Sequence, residues 1–535
     1  MPNRRLAAPG LWHKYVRRSG FWGPSRVCSL VELRVLEAHL LAIDQGTTGT
    51  TALVMSRAGA TLGRATRELP QHFPQPGWVE HDALEIWTTV EAAVEGALAA
   101  AGVSGRDIAA IGITNQRETT LLWERDTGQP VHKAIVWQDR RTAPLCQRLK
   151  ASGVEARVRD ITGLVLDPYF SGTKVAWLLE HVAGARVRAE RGELAFGTID
   201  SYLVYRLAGG GTTAPHVTDA TNASRTLFMD LARLSWSDEM CELLGAPQAI
   251  LPRIVPSSGV VATTRGVRGL PDGIPIAGIA GDQHAALFGQ GCLATGDAKC
   301  TYGTGAFLLV NVGSKPVASR SGLLATLGFQ AGGEVVYALE GSVFIAGAAV
   351  QWLRDGLGII GSAKEVEALA RSVPDSGGAS FVPALSGLGA PHWDADARGL
   401  IAGITRGTTR AHLARATLDA IALSVNDVIQ AMTDDLGRPI ERLRVDGGAA
   451  ENDLLMELQA GISGITVERP QELESTARGA AMLAGLGAGI YATGQEAAKI
   501  VKLDKAFPAN MRDAERASRL SAWHDAVGRA RSVRP

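Results

Sequence analysis

An apolar strand that runs into Asp-Gln occurs twice in this chain, about half its length apart, and that repetition constrains the fold more than any other feature. Leu40-Leu41-Ala42-Ile43 stops at Asp44-Gln45-Gly46-Thr47-Thr48-Gly49, and a second strand, Thr51 to Ser56, follows. The unit reads as a β-hairpin with a glycine- and threonine-rich tip. Ile276-Ala277-Gly278-Ile279-Ala280 then leads into Gly281-Asp282-Gln283, and a further hairpin, Cys300 to Val312, carries the tip Tyr302-Gly303-Thr304-Gly305. Two related halves, each led by a strand that ends in a carboxylate, predict a duplicated α/β chain. At 535 residues the chain exceeds what one hydrophobic core supports, so two large domains with a cleft between them are expected. The boundary is placed near Pro271 to Pro275, giving an N-terminal domain over 40–273, a C-terminal domain over 274–490 and a helical cap over 491–535. On this division Asp282 ends the first strand of the second domain, and Asp44 and Asp282 stand on facing walls of the cleft.

Helices separate the strands. Between Ala414 and Met432 the apolar residues Leu418, Ile421, Ala422, Val425, Val428, Ile429 and Met432 recur at three- and four-residue steps, which buries one face. Arg444-Val445-Asp446-Gly447-Gly448 is a short strand ending on a double glycine, with helical spacing from Asn452 to Ile462 after it. Strand, glycine turn and helix N-terminus together make a seat for an anion or a nucleotide.

Charge excludes some partners. Lys+Arg and Asp+Glu are both 54, so no basic surplus points to nucleic acid or to an acidic membrane surface. No apolar run approaches the roughly 20 residues of a membrane helix. The five cysteines are scattered without a C-x-x-C pair, as reduced thiols of a cytoplasmic protein would be. Residues 1–39 differ from the rest, with Arg4, Arg5, Lys14, Arg17, Arg18 and Arg26 and no acidic residue before Glu32. This extension reads either as a disordered basic arm or as a transit-type leader, and no chemistry is expected of it.

The motifs suit phosphate and a small polar substrate. Backbone N–H groups must approach phosphate oxygens closely, which glycine permits, and the tips Asp44–Gly49 and Tyr302–Gly305 both add threonine hydroxyls. Asp44 offers a hard oxygen ligand for Mg²⁺ or its water shell. No G-x-x-x-x-G-K-[ST] occurs, so the lysine-anchored phosphate loop is excluded. Gly356-Leu357-Gly358-Ile359-Ile360-Gly361 formally matches a dinucleotide fingerprint but trails a helical segment, so it reads as a helix end. Asn115-Gln116-Arg117-Glu118-Thr119 crowds an opposite-charge pair into a strand end. Such a pair is ordinarily a structural ion pair; the functional alternative is a polyol clamp, with Arg117 donating and Glu118 accepting, and Trp137 and Phe307 closing on the carbon edge. Asp282 is open in the same way, as a catalytic carboxylate or as the N-cap of the following helix.

These segments resemble a known family. Ala42-Ile43-Asp44-Gln45-Gly46-Thr47-Thr48, Pro76-Gly77-Trp78-Val79-Glu80-His81-Asp82, Asn115-Gln116-Arg117-Glu118-Thr119, Asp167-Pro168-Tyr169-Phe170, Gly281-Asp282-Gln283 and Val445-Asp446-Gly447-Gly448 are similar to the signatures of the two-domain FGGY carbohydrate kinases, and among them of the glycerol kinases. The resemblance runs from about Leu41 to the C-terminal tail. It implies two duplicated actin-like, ribonuclease-H-like domains around a cleft that takes ATP and Mg²⁺, in a homodimer or homotetramer. It further implies that Arg117, Glu118, Tyr169, Asp282 and Gln283 bind glycerol hydroxyls with Trp137 and Phe307 as apolar walls. Thr47, Thr48, Gly49, Thr304, Gly347, Gln351, Gly448 and Asn452 would surround the nucleotide, Asp44 would organise the metal, and Asp282 would be the general base.

One departure yields a test. Many members continue the first turn with Ser-Ser-Arg, whereas this chain has Gly49-Thr50-Thr51, so a fork of phosphate donors is replaced by one short hydroxyl. Thr51→Arg is expected to lower the KM for ATP several-fold and to leave the KM for glycerol nearly unchanged. Steady-state kinetics varying each substrate in turn checks this.

Overall fold

The computed structural model describes residues 39–532. The basic extension lies outside the described residues, except that His39, assigned above to it, already opens the first strand. Two mixed sheets organise the chain. In the first, β1 (His39–Gln45), β2 (Gly49–Ser56) and β3 (Thr61–Glu68) form an antiparallel meander. β4 (Ile108–Asn115) joins parallel to β1; β5 (Ser258–Thr263) closes the edge against β6 (Pro275–Gly281), which runs parallel to β4. Leu40 to Ile43 are buried on both faces, which explains why β1 reads as a continuous apolar run instead of an alternating one.

The second sheet repeats the plan. The hairpin of β7 (Ala298–Tyr302) and β8 (Ala306–Gly313) is extended by β9 (Leu324–Ala331) and β10 (Glu334–Val343), with β10 antiparallel to both β8 and β9. On its other side β11 (Arg442–Asp446) lies parallel to β7 and β12 (Thr466–Pro470) parallel to β11, and β13 (Leu503–Phe507) forms the edge. The duplication expected from the two Asp-Gln strands is therefore present, although its second copy begins at β7. The helices used below are α1 (Ala83–Ala101), α2 (Asp282–Gly289), α3 (Gly347–Asp355), α4 (Arg410–Leu436), α5 (Asp453–Ser463), α6 (Ser475–Gly487) and α7 (Asp513–Ala530). The periodic segment 414–432 lies inside α4, and the formal dinucleotide fingerprint begins at Gly356, the C-cap of α3.

Three expectations need correcting. The boundary at 273/274 cuts β6 away from the sheet it completes, because Ile276 to Gly281 pair in parallel with Ile111 to Asn115. For the same reason Asp44 and Asp282 do not face each other across the cleft; both sit at the C-terminal edge of one sheet, at the ends of parallel strands. The tail is also more than a helical cap, since β13 extends the second sheet and α7 docks on α4 through Trp523, whose Nε1 donates to Asp427 Oδ2 at 2.7 Å.

α2 and α6 each follow the last parallel strand of their own sheet and pack on one another between the two sheets. Their backbones approach so closely that a Cβ at Gly479 would lie 1.8 Å from the Ala285 carbonyl oxygen, and one at Gly112 of β4 would lie 2.1 Å from that of Ala480. Around them Leu40, Ala42 and Leu53 from the first sheet share one core with Leu309, Phe329 and Ala338 from the second. Among the described residues no helix is long and apolar enough to cross a membrane, and the four cysteines are free thiols.

A buried polar seam fixes the strand ends that carry the site. Asp219 caps the short helix Ala220–Ala223, taking the Thr221 and Asn222 backbone N–H groups at 3.0 Å each. Asn222 and Asn115 exchange reciprocal amide hydrogen bonds of 3.0 Å, and Thr221 Oγ1 accepts from the Gly281 N–H at 2.9 Å. Asp200 lies behind, accepting from Thr218 Oγ1 at 2.8 Å. Burial, and then the neighbouring Asp219, push its carboxyl up to about 7 from 3.8. The folded state thus holds a proton that the unfolded chain releases, and stability falls as pH rises from about 4 to about 7, staying at the lower level above. Asp200→Asn is expected to flatten that part of the pH dependence of Tm, compared with the wild-type chain by calorimetry from pH 4 to 8. Superimposable pH profiles would contradict the raised carboxyl.

Candidate active site

The C-terminal edge of the first sheet gathers the chemistry-bearing residues. β4 ends at Asn115, and the next turn places Arg117 and Glu118, both buried. Glu118 has φ of 60°, a conformation unfavourable for a residue with a Cβ. It is held there by its carbonyl, which accepts from Ser171 Oγ at 3.0 Å and Lys174 Nζ at 3.3 Å. Arg117 Nη1 and Nη2 donate to Glu340 at 2.5 and 3.0 Å, Nη2 also donates to the Tyr169 hydroxyl at 3.4 Å, and Nε forms an ion pair with Asp282 Oδ1 at 2.9 Å. Glu118 Oε1 takes Arg225 Nε at 2.6 Å. The sequence pair is therefore not one ion pair, since each member has its own buried partner.

Asp282 is the first residue of α2, whose N-cap is Gly281. Its Oδ1 accepts the Gln283 N–H at 2.7 Å and is ion-paired with Arg117 Nε at 2.9 Å. Oδ2 has no protein partner among the described residues, and the side chain is 31% exposed, so one oxygen of a fixed carboxylate remains available. Two aromatic rings continue from Arg117 through the Tyr169 hydroxyl. Trp137 meets Tyr169 edge to face at 5.7 Å between centroids, and its indole N–H donates to Thr47 Oγ1 at 2.9 Å, joining the clamp to the first glycine-threonine turn. Gln283 is less open than expected: it is buried, and its amide oxygen accepts from the buried Lys299. Phe307, opposite Thr301 on β8, is half-buried, and its carbonyl accepts from the same Lys299 at 3.3 Å.

The phosphate-type turns are assembled on the two β-hairpins. Asp44 and Thr51 are direct cross-strand partners and line, with Gly46, Thr48 and Gly49, a cavity of about 590 Å³. Thr51 Oγ1 pairs with Thr66 Oγ1 at 2.9 Å, while Arg64 further along β3 is committed to Glu474 at 2.7 Å. Burial pushes the Asp44 carboxyl up to about 8, the carboxylates of Asp282 and Glu474 adding to it and Arg64 opposing. In the second half, Gly303 and Thr304 accept from the N–H groups of Gly347 and Ala348, each at 3.0 Å. The turn thus seats on the N-terminus of α3, where a Cβ at Gly347 would lie 2.6 Å from the Gly303 carbonyl. Gln351 is exposed one turn along α3. β11 brings Asp446 beside Thr301, and Gly448 follows it. Asn452 caps α5 through Oδ1, which accepts from the Leu455 N–H at 2.9 Å. Thr304, Gly347 and Gln351 are thereby brought together, with Gly448 and Asn452 on the neighbouring strand end.

Sequence reasoning missed Arg225, Glu340 and Lys299. Glu340 left a signal, being a lone carboxylate in the run Tyr337-Ala338-Leu339-Glu340-Gly341 that the structure buries completely. Arg225, in Asn222-Ala223-Ser224-Arg225-Thr226, left none.

The FGGY family of carbohydrate kinases matches through its N-terminal domain over residues 39–289 and its C-terminal domain over residues 298–488, a junction that keeps β6 and α2 with the first sheet. A glycerol kinase of Myxococcus xanthus is 58% identical over 494 residues, covering 92% of this chain and 99% of its own length. The crystal structure of Plasmodium falciparum glycerol kinase with ADP is 34% identical with a TM-score of 0.86, covering 92% of this chain and 98% of that one. A xylulose kinase of Lactobacillus acidophilus shares the fold at 21% identity, with a TM-score of 0.81 over 92% of this chain and 97% of that one. The chain belongs to the FGGY family of carbohydrate kinases.

Proposed function

We propose that this protein is an ATP-dependent glycerol kinase, which transfers the γ-phosphoryl group of ATP to a terminal hydroxyl of glycerol to give sn-glycerol 3-phosphate and ADP. The observation that carries the reading is the clamp at the end of β4 and β6. Arg117 and Glu118 offer a buried donor and acceptor, Asp282 has an oxygen that nothing else engages, the Tyr169 hydroxyl lies at Arg117, and Trp137 and Phe307 are the apolar walls. A small neutral molecule with adjacent hydroxyls and one carbon edge fits that set. The glycerol kinase names of relatives 55–58% identical over almost the whole chain support the same substrate.

Asp282 acts as the base in this reading. Arg117 and the Gln283 N–H hold Oδ1, so Oδ2 takes the proton as the substrate oxygen attacks the γ-phosphorus and the bond to the β,γ-bridging oxygen breaks. The glycine-threonine turns supply N–H groups and hydroxyls to the phosphates. Asp44 fits a divalent cation by the chemistry of its surroundings. Its charge is opposed by Asp282 and Glu474, a repulsion that a cation removes. Among the described residues no group of three His, Cys, Asp or Glu side chains forms a metal cage, which suits Mg²⁺ held by one or two carboxylates, phosphate oxygens and water. When bound there, Mg²⁺ would neutralise charge on the phosphates.

Phosphorus-31 NMR of the purified protein with ATP, Mg²⁺ and glycerol tests the reading, which expects a new phosphomonoester signal growing with ADP and only when glycerol is present. Under the same conditions Asp282→Asn should reduce turnover by roughly 10²- to 10⁴-fold, the usual cost of losing a general base, while glycerol binding changes far less. Turnover within a few-fold of wild type would remove Asp282 from that role.

A further inference from the structure

We propose that Glu340 is a positioning residue for the polyol clamp: from the opposite sheet it draws Arg117 and Arg225 together and so keeps Asp282 and Glu118 open to substrate. The inference rests on the glycerol reading above and deepens it. Glu340 is fully buried in the middle of β10, in the second sheet, whereas both arginines belong to the N-terminal half. It receives Arg117 at 2.5 and 3.0 Å and Arg225 Nη2 at 3.2 Å. With Arg117 to Asp282 at 2.9 Å and Arg225 to Glu118 at 2.6 Å, an unbroken alternating chain runs Asp282, Arg117, Glu340, Arg225, Glu118. Both ends of that chain are the groups assigned to the substrate.

A purely structural role explains this poorly. Buried ion pairs contribute little net stability, because desolvation offsets the attraction, and apolar residues of similar volume often serve as well. Charge accounting shows what the central carboxylate does. Three carboxylates face two guanidiniums; if Glu340 loses its charge, two fully buried cations retain only Asp282 and Glu118 as ionised partners. Arg117 then turns onto Asp282 and Arg225 onto Glu118, consuming the oxygens left for glycerol. Burial alone would raise the Glu340 carboxyl, but the two arginines hold it well below the usual carboxylate range. His284, buried nearby with its pKa driven well below the ordinary value by burial and the arginines, adds no further positive charge to the cluster. Because Glu340 comes from the other half, the clamp is also complete only when both sheets are in register.

The test compares Glu340→Gln, Arg225→Lys and Glu118→Gln with the wild-type enzyme. KM for glycerol, KM for ATP, and the ratio of kcat/KM for glycerol over 1,2-propanediol, which lacks one terminal hydroxyl, are measured with Tm alongside. Glu340→Gln should raise the KM for glycerol about tenfold or more, as expected when a buried charge partner is removed, lower the diol discrimination, and leave the KM for ATP within about twofold. Arg225→Lys, which loses the fork joining Glu118 to Glu340, should move the same quantities in the same direction and decides the matter if the first variant does not fold. A folded variant with lowered Tm but unchanged glycerol KM and discrimination would overturn the positioning role. If Glu118→Gln also left both unchanged, the clamp would not bind glycerol and the functional reading itself would fall; if only Glu118→Gln raised the KM, the positioning role alone would fail.

Discussion

Backbone-to-backbone contact between α2 and α6 is the constraint on which the rest of the molecule depends. With no side chain between Gly479 and the Ala285 carbonyl, or between Gly112 and that of Ala480, the two helices and the first sheet have one way to fit. Each helix leaves the last parallel strand of its own sheet, so locking them together fixes the relative placement of both sheets through a common core. The strand ends at Asp44, Asn115 and Gly281 then fall along one edge, and the seam of Asn115, Asn222, Thr221 and Asp219 holds them in place. Positions so fixed can carry buried charges whose distances matter.

Local features were legible in the sequence and long-range partnerships were not. The hairpins at Asp44–Gly49 and Tyr302–Gly305 were readable because glycine and threonine punctuate short apolar strands, and α4 because its apolar residues keep a helical period. The sheet that β6 joins was not readable. Its partner β4 lies some 160 residues earlier, as Ile279 paired with Ile113 shows, and nothing in an apolar run names its neighbour. That one misplacement put Asp282 on the wrong wall. The clamp pair itself was visible as residue types, but the partners that give it geometry come from Arg225 and Glu340, more than 100 and more than 200 residues away.

The electrostatics divide the site into two regions with different needs. Around Arg117 the charges are already paired, and the clamp is organised before any ligand arrives, which reduces the ordering cost of binding a small polyol. Around Asp44 like charges meet: burial and the carboxylates of Asp282 and Glu474 push its carboxyl up to about 8. In the proposed reading the polyol side is thus prepared by the protein, whereas the phosphate side is completed by what binds there. Lys299 ties Gln283 of α2 to the second sheet, touching the Gln283 amide, Thr301 Oγ1 at 2.9 Å and the Phe307 carbonyl at 3.3 Å.

Glycerol selection is the claim that distinguishes this chain from kinases sharing its fold, and kcat/KM for glycerol and for D-xylulose, determined side by side with ATP at saturation, tests it most directly. A clamp walled by Trp137 and Phe307 and floored by Arg117 and Glu118 should favour glycerol by roughly 10²-fold or more, since a site built to pair particular hydroxyls penalises a substrate that leaves them unmatched. Equal efficiency on the two substrates, or a preference for the pentulose, would contradict it.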